Sequence, residues 1–211
     1  MILFLDTVSP LPEFSIIEDN KIIYSREILT NNQDKMSDCI IPIYIDIEKK
    51  FLLSKKLKYL ITNTGPGSYT SLRIGIAFLS GLSIALKIRL IGISCVDLFK
   101  YIISEDDRNK SAIYINSSHE QNFICLYSKE KNSYKIDKCE NYTTLYIDDL
   151  SIIKIFTNSI LPLGKISLSK KIEFRKKNFN AIVNQNIKKI ISLPIKKIIE
   201  PIYVSNNKIL N

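Results

Sequence analysis

One run constrains this chain more than any other: Thr64-Gly65-Pro66-Gly67-Ser68-Tyr69-Thr70-Ser71-Leu72-Arg73-Ile74-Gly75. The apolar stretch 57–62 before it reads as a strand, and the Gly-Pro-Gly turn ends that strand. Ser68 or Thr70 then supplies an N-cap for a helix running to about Leu86. Residues 90–94 read as the next strand, and 96–103 as a further helix. A chain that alternates in this way folds as an α/β protein. A glycine-rich turn feeding a helix also presents free backbone N–H groups at the positive end of the helix dipole, which suits an anion. The Lys-Ser/Thr pair of a P-loop is missing, so the turn is either a phosphate contact or simply a tight connection.

The flanking segments extend the pattern. Residues 2–6 form a buried-type strand ending in Asp6-Thr7, and strands 14–18 and 21–28 flank a hairpin signal at Asp19-Asn20. Segment 36–53 is β-branched, yet Met36, Ile40, Ile43, Ile47 and Phe51 recur at helical spacing. It is assigned as a helix, with Pro42 tolerable in a first turn. After the acidic linker Glu105-Asp106-Asp107, strands are expected at 112–116, 123–128, 134–139 and near Ile155. Leu161-Pro162-Leu163-Gly164 reads as a strand-to-turn exit, and two short helical patterns follow Lys165. Two units result, residues 1–104 and residues 105–211.

The helix after the glycine loop has two distinct rows. Gly75, Ala77, Ser80 and Gly81 are small, whereas Leu72, Ile76, Leu79, Ser83 and Leu86 form a second row. Such a helix lies deep in a domain or completes an interface with another chain, and spacing alone leaves both open.

Composition removes whole classes. With 45% hydrophobic and 24% charged residues the chain is globular, not disordered. Cys39, Cys95, Cys125 and Cys139 lack paired spacing and His119 is the single histidine, which argues against a zinc or iron–sulfur site and against a disulfide framework. His119 also has no Gly-x-Ser-x-Gly elbow to serve. The start, MILFLDTVSP, has no basic n-region, and the uncharged stretch 74–86 is too short to span a bilayer. The expected location is therefore cytoplasmic.

The net charge of +9 arises within residues 165–211, which hold the Lys pairs 176–177, 188–189 and 196–197. A basic surface of this kind fits RNA or an acidic partner. Forty isoleucines against four alanines instead suggest drift toward A/T-rich codons, which would spread lysine over any solvated face. Both readings stand.

Residues 61–99 resemble the TsaB (YeaZ) family. The family pattern Gly-Pro-Gly-Ser-Phe/Tyr-Thr-Gly-Leu-Arg-Ile-Gly is matched from Gly65 to Gly75 with Ser71 in place of glycine, then by Gly81-Leu82 and Ile91-Gly92-Ile93-Ser94. The opening Ile2 to Thr7, the segment around Ser37 and Pro42 (with Met36 where histidine is usual) and Pro201-Ile202-Tyr203-Val204 fit further motifs. The second half diverges, reading Asn116-Ser117-Ser118 where the family has Asp-Ala-Arg.

The resemblance implies an actin-like ATPase fold of the Hsp70/sugar-kinase type, with two related lobes and a reduced second lobe. It implies a non-catalytic dimerisation partner of a TsaD-type subunit, joined by a TsaE-type ATPase, in making threonylcarbamoyladenosine beside the anticodon of tRNA. The tRNA is met through the complex, a homodimer is an alternative assembly, and no membrane is involved. No cofactor of its own is implied, with ATP or ADP bound only within the complex. The partner surface falls on the two helices carrying Met36, Ile40, Ile43, Ile47, Leu72, Gly75, Ile76, Leu79 and Ser83. A nucleotide or anion contact falls on Asp6, Thr7, Gly65, Gly67, Ser68 and Arg73. The competing reading is an autonomous actin-fold phosphotransferase or glycoprotease-like enzyme. The catalytic paralogue's His-x-x-x-His metal site cannot be built from one histidine.

Overall fold

The computed structural model describes residues 1–29, 31, 33–117, 121–139, 151–159 and 172–204. The chain opens with β1 (Ile2–Asp6), β2 (Glu13–Glu18) and β3 (Lys21–Glu27). Asp19 and Asn20 join the hairpin with φ of 49° and 59°, as a two-residue primed turn requires. Helices α1 (Met36–Phe51) and α2 (Leu53–Lys56) precede β4 (Tyr59–Asn63), and α3 (Tyr69–Leu86) precedes β5 (Arg89–Ile93). The first sheet has the order β3-β2-β1-β4-β5, with β1 antiparallel to β2 and parallel to β4.

The helical period wins over β-branching in α1 because Met36, Ile40, Ile43 and Ile47 all bury on the first sheet, whereas a strand would turn half of them to water. Pro42 lies beyond the first turn that was expected to hold it. It sits on the exposed side of the helix interior, where its missing N–H costs the ladder one donor.

After α4 (Cys95–Lys100), β6 (Ser111–Asn116), β7 (Asn122–Ser128), β8 (Ser133–Cys139), β9 (Lys154–Thr157) and β10 (Glu173–Lys176) form a second sheet. Its order, β8-β7-β6-β9-β10, repeats the first strand for strand, including the antiparallel β6–β7 and parallel β6–β9 pairings. The sequence reading did not foresee β10, and the exit expected at 161–164 lies outside the described residues. The two short helices expected in the tail are α5 (Phe179–Gln185) and α6 (Ile187–Ile191).

The first core lies between the sheets. Phe4, Ile61 and Ile91 of the first sheet meet Ile113, Phe123 and Phe156 of the second through Phe99 of α4 and Phe179, Ile182 and Ile190 of α5 and α6. The second core packs Leu3, Leu5, Phe14 and Leu60 beneath α1 and α3. The central strand β1 is thus buried on both faces, which explains its unbroken apolar run. Residues 179–204, beyond the second sheet, pack back onto the first lobe, because α5 lies on β1 and β3.

Candidate functional site

The strand ends β1, β4 and β6 converge at the opening between the lobes. One Asp6 carboxylate oxygen accepts from the N–H groups of Val8 (2.8 Å) and Ser9 (3.1 Å) and from Asn63 Nδ2 (2.6 Å). Burial pushes the Asp6 pKa up, and these donors pull against it without reversing the rise. The N–H of Thr7 donates to Asn63 Oδ1 at 3.2 Å. The Thr7 hydroxyl is buried without a partner among the described residues.

The glycine loop fits against this group by having no side chains. At Gly75, a Cβ would stand 2.4 Å from the Thr7 methyl, so the glycine lets α3 lie directly on the end of β1. At Gly67, a Cβ would stand 2.9 Å from the Val8 Cγ2. Gly65, at φ 104° and joined to Pro66 by a cis peptide, has the Ile202 carbonyl close behind it.

Across the opening the lobes are laced together. The N–H of Ser68 donates to Ser117 Oγ (3.0 Å), and Asn158 Nδ2 donates to Ser9 Oγ (3.1 Å) and to the Asn116 carbonyl (2.8 Å). Of the residues expected at an anion contact, Asp6 ends β1 with Thr7 next to it, Gly67 approaches Val8 beside them, Ser68 bonds the second lobe, and Gly65 packs by Leu72 and Ile202. Arg73 does not join them. It is exposed, its guanidinium lies 3.8 Å from the centre of the Tyr69 ring, and its Nε donates to Tyr203 Oη at 2.8 Å. The Ser68 amide serves the junction between lobes, and Asp6 is buried and already holds three donors.

The expected partner rows need correction. Met36, Ile40, Ile43 and Ile47 of α1, and Leu72, Gly75, Ile76 and Leu79 of α3, are buried in this chain's own interior and cannot touch a partner; only Ser83 is partly open. The reason is amphipathicity: the bulky row is the one the sheet takes. The outward faces carry a different set. Ile41 (53% exposed) and Ile45 (43%) project from α1, and Ala77, Gly81 and Ile84 (79%) from α3, which packs beside it. Nothing lies within 4 Å of a Cβ built at Gly81. By length and composition alone α3 is apolar enough to cross a membrane, yet 28% of it is buried within the molecule, where it packs on β4 and β5.

Sequence reasoning missed the segment that follows α6. Arg89 grips the carbonyls of Ile191 and Leu193, Ile202 donates to the Thr64 carbonyl (2.7 Å), and Tyr203 stacks on Tyr69 with ring centres 4.5 Å apart. Between these anchors residues 193–202 pass over β5 and enclose a cavity of about 660 Å³. Pro194 and Pro201, which frame the run 195–200 and interrupt a helix at either end, were the available signal. The four cysteines are free, and burial raises the thiol pKa of Cys95 and Cys125. His119 lies outside the described residues, and among the described residues no group of three or more His, Cys, Asp or Glu could hold a metal ion.

Two five-stranded sheets of one strand order, with an acid at the first strand's end and a glycine loop opposite, define a two-lobed actin-like α/β protein. The solved YeaZ from Pseudomonas aeruginosa has this fold, with a TM-score of 0.57 at 14% identity over 96% of this chain and 99% of that one. A second structure, an uncharacterized protein with similarity to peptidase YEAZ from Pseudomonas aeruginosa, gives 0.58 at 14% identity over 97% and 99%. Residues 36–201 match the family described as TsaD: tRNA N6-adenosine threonylcarbamoyltransferase. The tRNA threonylcarbamoyladenosine biosynthesis protein TsaB of Buchnera aphidicola subsp. Acyrthosiphon pisum (strain APS) is 29% identical over 132 residues, 63% of this chain and 52% of the relative. The match thus spans about half the length of that relative. The chain belongs to this family, on its TsaB/YeaZ side.

Proposed function

We propose that this chain is a non-catalytic dimerisation subunit in the biosynthesis of threonylcarbamoyladenosine in tRNA. It docks on a TsaD-type catalytic subunit through the outer faces of α1 and α3, in the cytoplasm. A TsaE-type ATPase completes the assembly, and any ATP or ADP belongs to the complex. The observation that carries this reading is the uncovered helix pair. Ile41, Ile45 and Ile84 leave apolar side chains in water on two helices that touch, and Ala77 and Gly81 let another backbone approach closely. The laced opening around Asp6 supports a non-enzymatic role.

Co-expression with the TsaD-type subunit, followed by size exclusion with light scattering, tests the reading. A stoichiometric heteromer is expected, and Ile84→Asp should abolish it while leaving the chain's melting temperature nearly unchanged. A mass of two copies of this chain alone would assign the face to a homodimer instead. An isolated chain that hydrolyses ATP or a peptide would replace the scaffold by the autonomous phosphotransferase or glycoprotease-like reading.

A further inference from the structure

Two bays adjoin at the end of the first sheet opposite the glycine loop. One, of about 750 Å³, is lined by Lys55, Lys56 and Lys58 from α2 and the start of β4, and by Lys188 of α6. The other, of about 450 Å³, shares Asn20, Ile187 and Lys188 with it and adds Lys189 and the carboxamides of Asn184, Gln185 and Asn186. Together they make one groove whose lining holds five lysines and the two carboxylates Glu18 and Asp19. The lysines come from segments some 130 residues apart and meet only because α5 and α6 return to the first lobe.

Compositional drift would scatter lysine evenly over solvated faces. The distribution is uneven: α3, with seven of its 18 residues exposed, carries Arg73 as its single charge. Of the lysine pairs 176–177, 188–189 and 196–197, only Lys188-Lys189 reaches the groove. We infer that this groove binds the phosphodiester backbone of RNA, with the lysines neutralising phosphates and the Asn184–Asn186 corner supplying hydrogen bonds to phosphate or sugar.

Several observations favour RNA over other polyanions. Among the described residues none of the exposed large apolar side chains lines the groove, so it lacks the insertion a lipid surface wants. Carboxamides beside lysines are the side chains that contact nucleic-acid backbones. Asn184 Oδ1 is buried without a hydrogen-bond partner among the described residues; it is an acceptor, so the group on RNA that matches it is the ribose 2′-hydroxyl and not a phosphate oxygen. The choice of tRNA as probe rests on the proposed function; the geometry of the groove does not.

The test is tRNA binding by the full chain, followed by fluorescence anisotropy across a salt series. Replacing Lys55, Lys56, Lys58 and Lys188 by glutamine removes four exposed charges, a change that spares folding when circular dichroism and melting temperature match the parent. Each lost phosphate contact should flatten the plot of log affinity against log salt by about 0.7–0.9, so the slope should fall by roughly 3 and affinity by about 10- to 100-fold at low salt. Lys196→Gln/Lys197→Gln, on the segment over β5, should leave both nearly unchanged. Equal losses from the two variants, an unchanged slope, or tighter binding to polyglutamate or phosphatidylserine vesicles than to tRNA would each overturn the inference. The groove variant is also mixed with the TsaD-type subunit. If the heteromer forms while tRNA binding is unaltered, only the groove assignment fails. If the parent chain never forms the heteromer, the docking reading fails while the binding data still judge the groove.

Discussion

The two lobes share a strand order but differ at the same register position. In the first lobe Asp6 of β1 stands opposite Glu13 of β2; in the second, Asn116 of β6 stands opposite Asn122 of β7. Two carboxylates on one frame become two carboxamides on the other. The next strand follows suit, because Asn63 Nδ2 donates to Asp6 while Asn116 Nδ2 donates to Ser159 Oγ at 2.8 Å. The frame therefore needs a hydrogen-bonded tie between neighbouring strand ends, and it does not need charge there. The acids of the first lobe carry an electrostatic cost that the second lobe avoids.

The comparison is broken most severely through what the lobes share. Phe99 of α4 is fully buried between the sheets and packs edge-on against Phe179 of α5, with centroids 5.7 Å apart. Phe99→Ala should cost about 3–5 kcal/mol and leave one cooperative transition in calorimetry, because both sheets lose the same support. Two separated transitions would show that the lobes unfold independently.

A smaller cost attaches to the glycines that let α3 approach β1. Gly75→Ala places a methyl 2.4 Å from Thr7 Cγ2, and overpacking of this kind costs about 1–3 kcal/mol. Gly81→Ala on the same helix meets nothing and should stabilise the isolated chain by up to about 1 kcal/mol. Urea melts of the two variants should move in opposite directions. Equal shifts would mean that helix propensity, and not the contact with β1, decides both.

The frame was largely legible in the sequence, and for identifiable reasons. Asp19-Asn20 fixed the hairpin, the i, i+4 spacing from Met36 to Ile47 outvoted β-branching, and Gly65–Ser68 placed the start of α3 within a residue. β10 escaped because Glu173-Phe174-Arg175-Lys176 holds one apolar residue, and its strand state comes from pairing with β9. The interface rows were misplaced for a different reason. Periodicity separates two faces of a helix without saying which one the sheet takes, and in an isoleucine-rich chain both sides of α1 are apolar. The lacing by Ser117 and Asn158 and the Arg73–Tyr203 contact had no local signal, since each joins residues more than 40 positions apart.

The finest test addresses the carboxylate pair itself. Burial, then the charge of Asp6, raises the Glu13 pKa from 4.5 to about 7, and Asp6 is raised as well. A raised acid holds its proton longer in the folded than in the unfolded chain. Its contribution to stability is complete below pH 4.5 and is lost as pH rises through about 7, in contrast to ordinary acid denaturation. Asp107, held low chiefly by the Lys154 ammonium, acts in the opposite sense and only at acid pH, outside this window. Glu13→Gln keeps an oxygen to accept from Asn180 Nδ2 while removing the charge. Because Glu13 is only partly buried, the gain at pH 8 should be about 1 kcal/mol, or roughly 2–4 °C in melting temperature. At pH 4 parent and variant should melt together, since Glu13 is then protonated in both folded and unfolded chains. An equal shift at both pH values would mean that the carboxylate is solvated. The charge difference between the lobes would then have no energetic consequence.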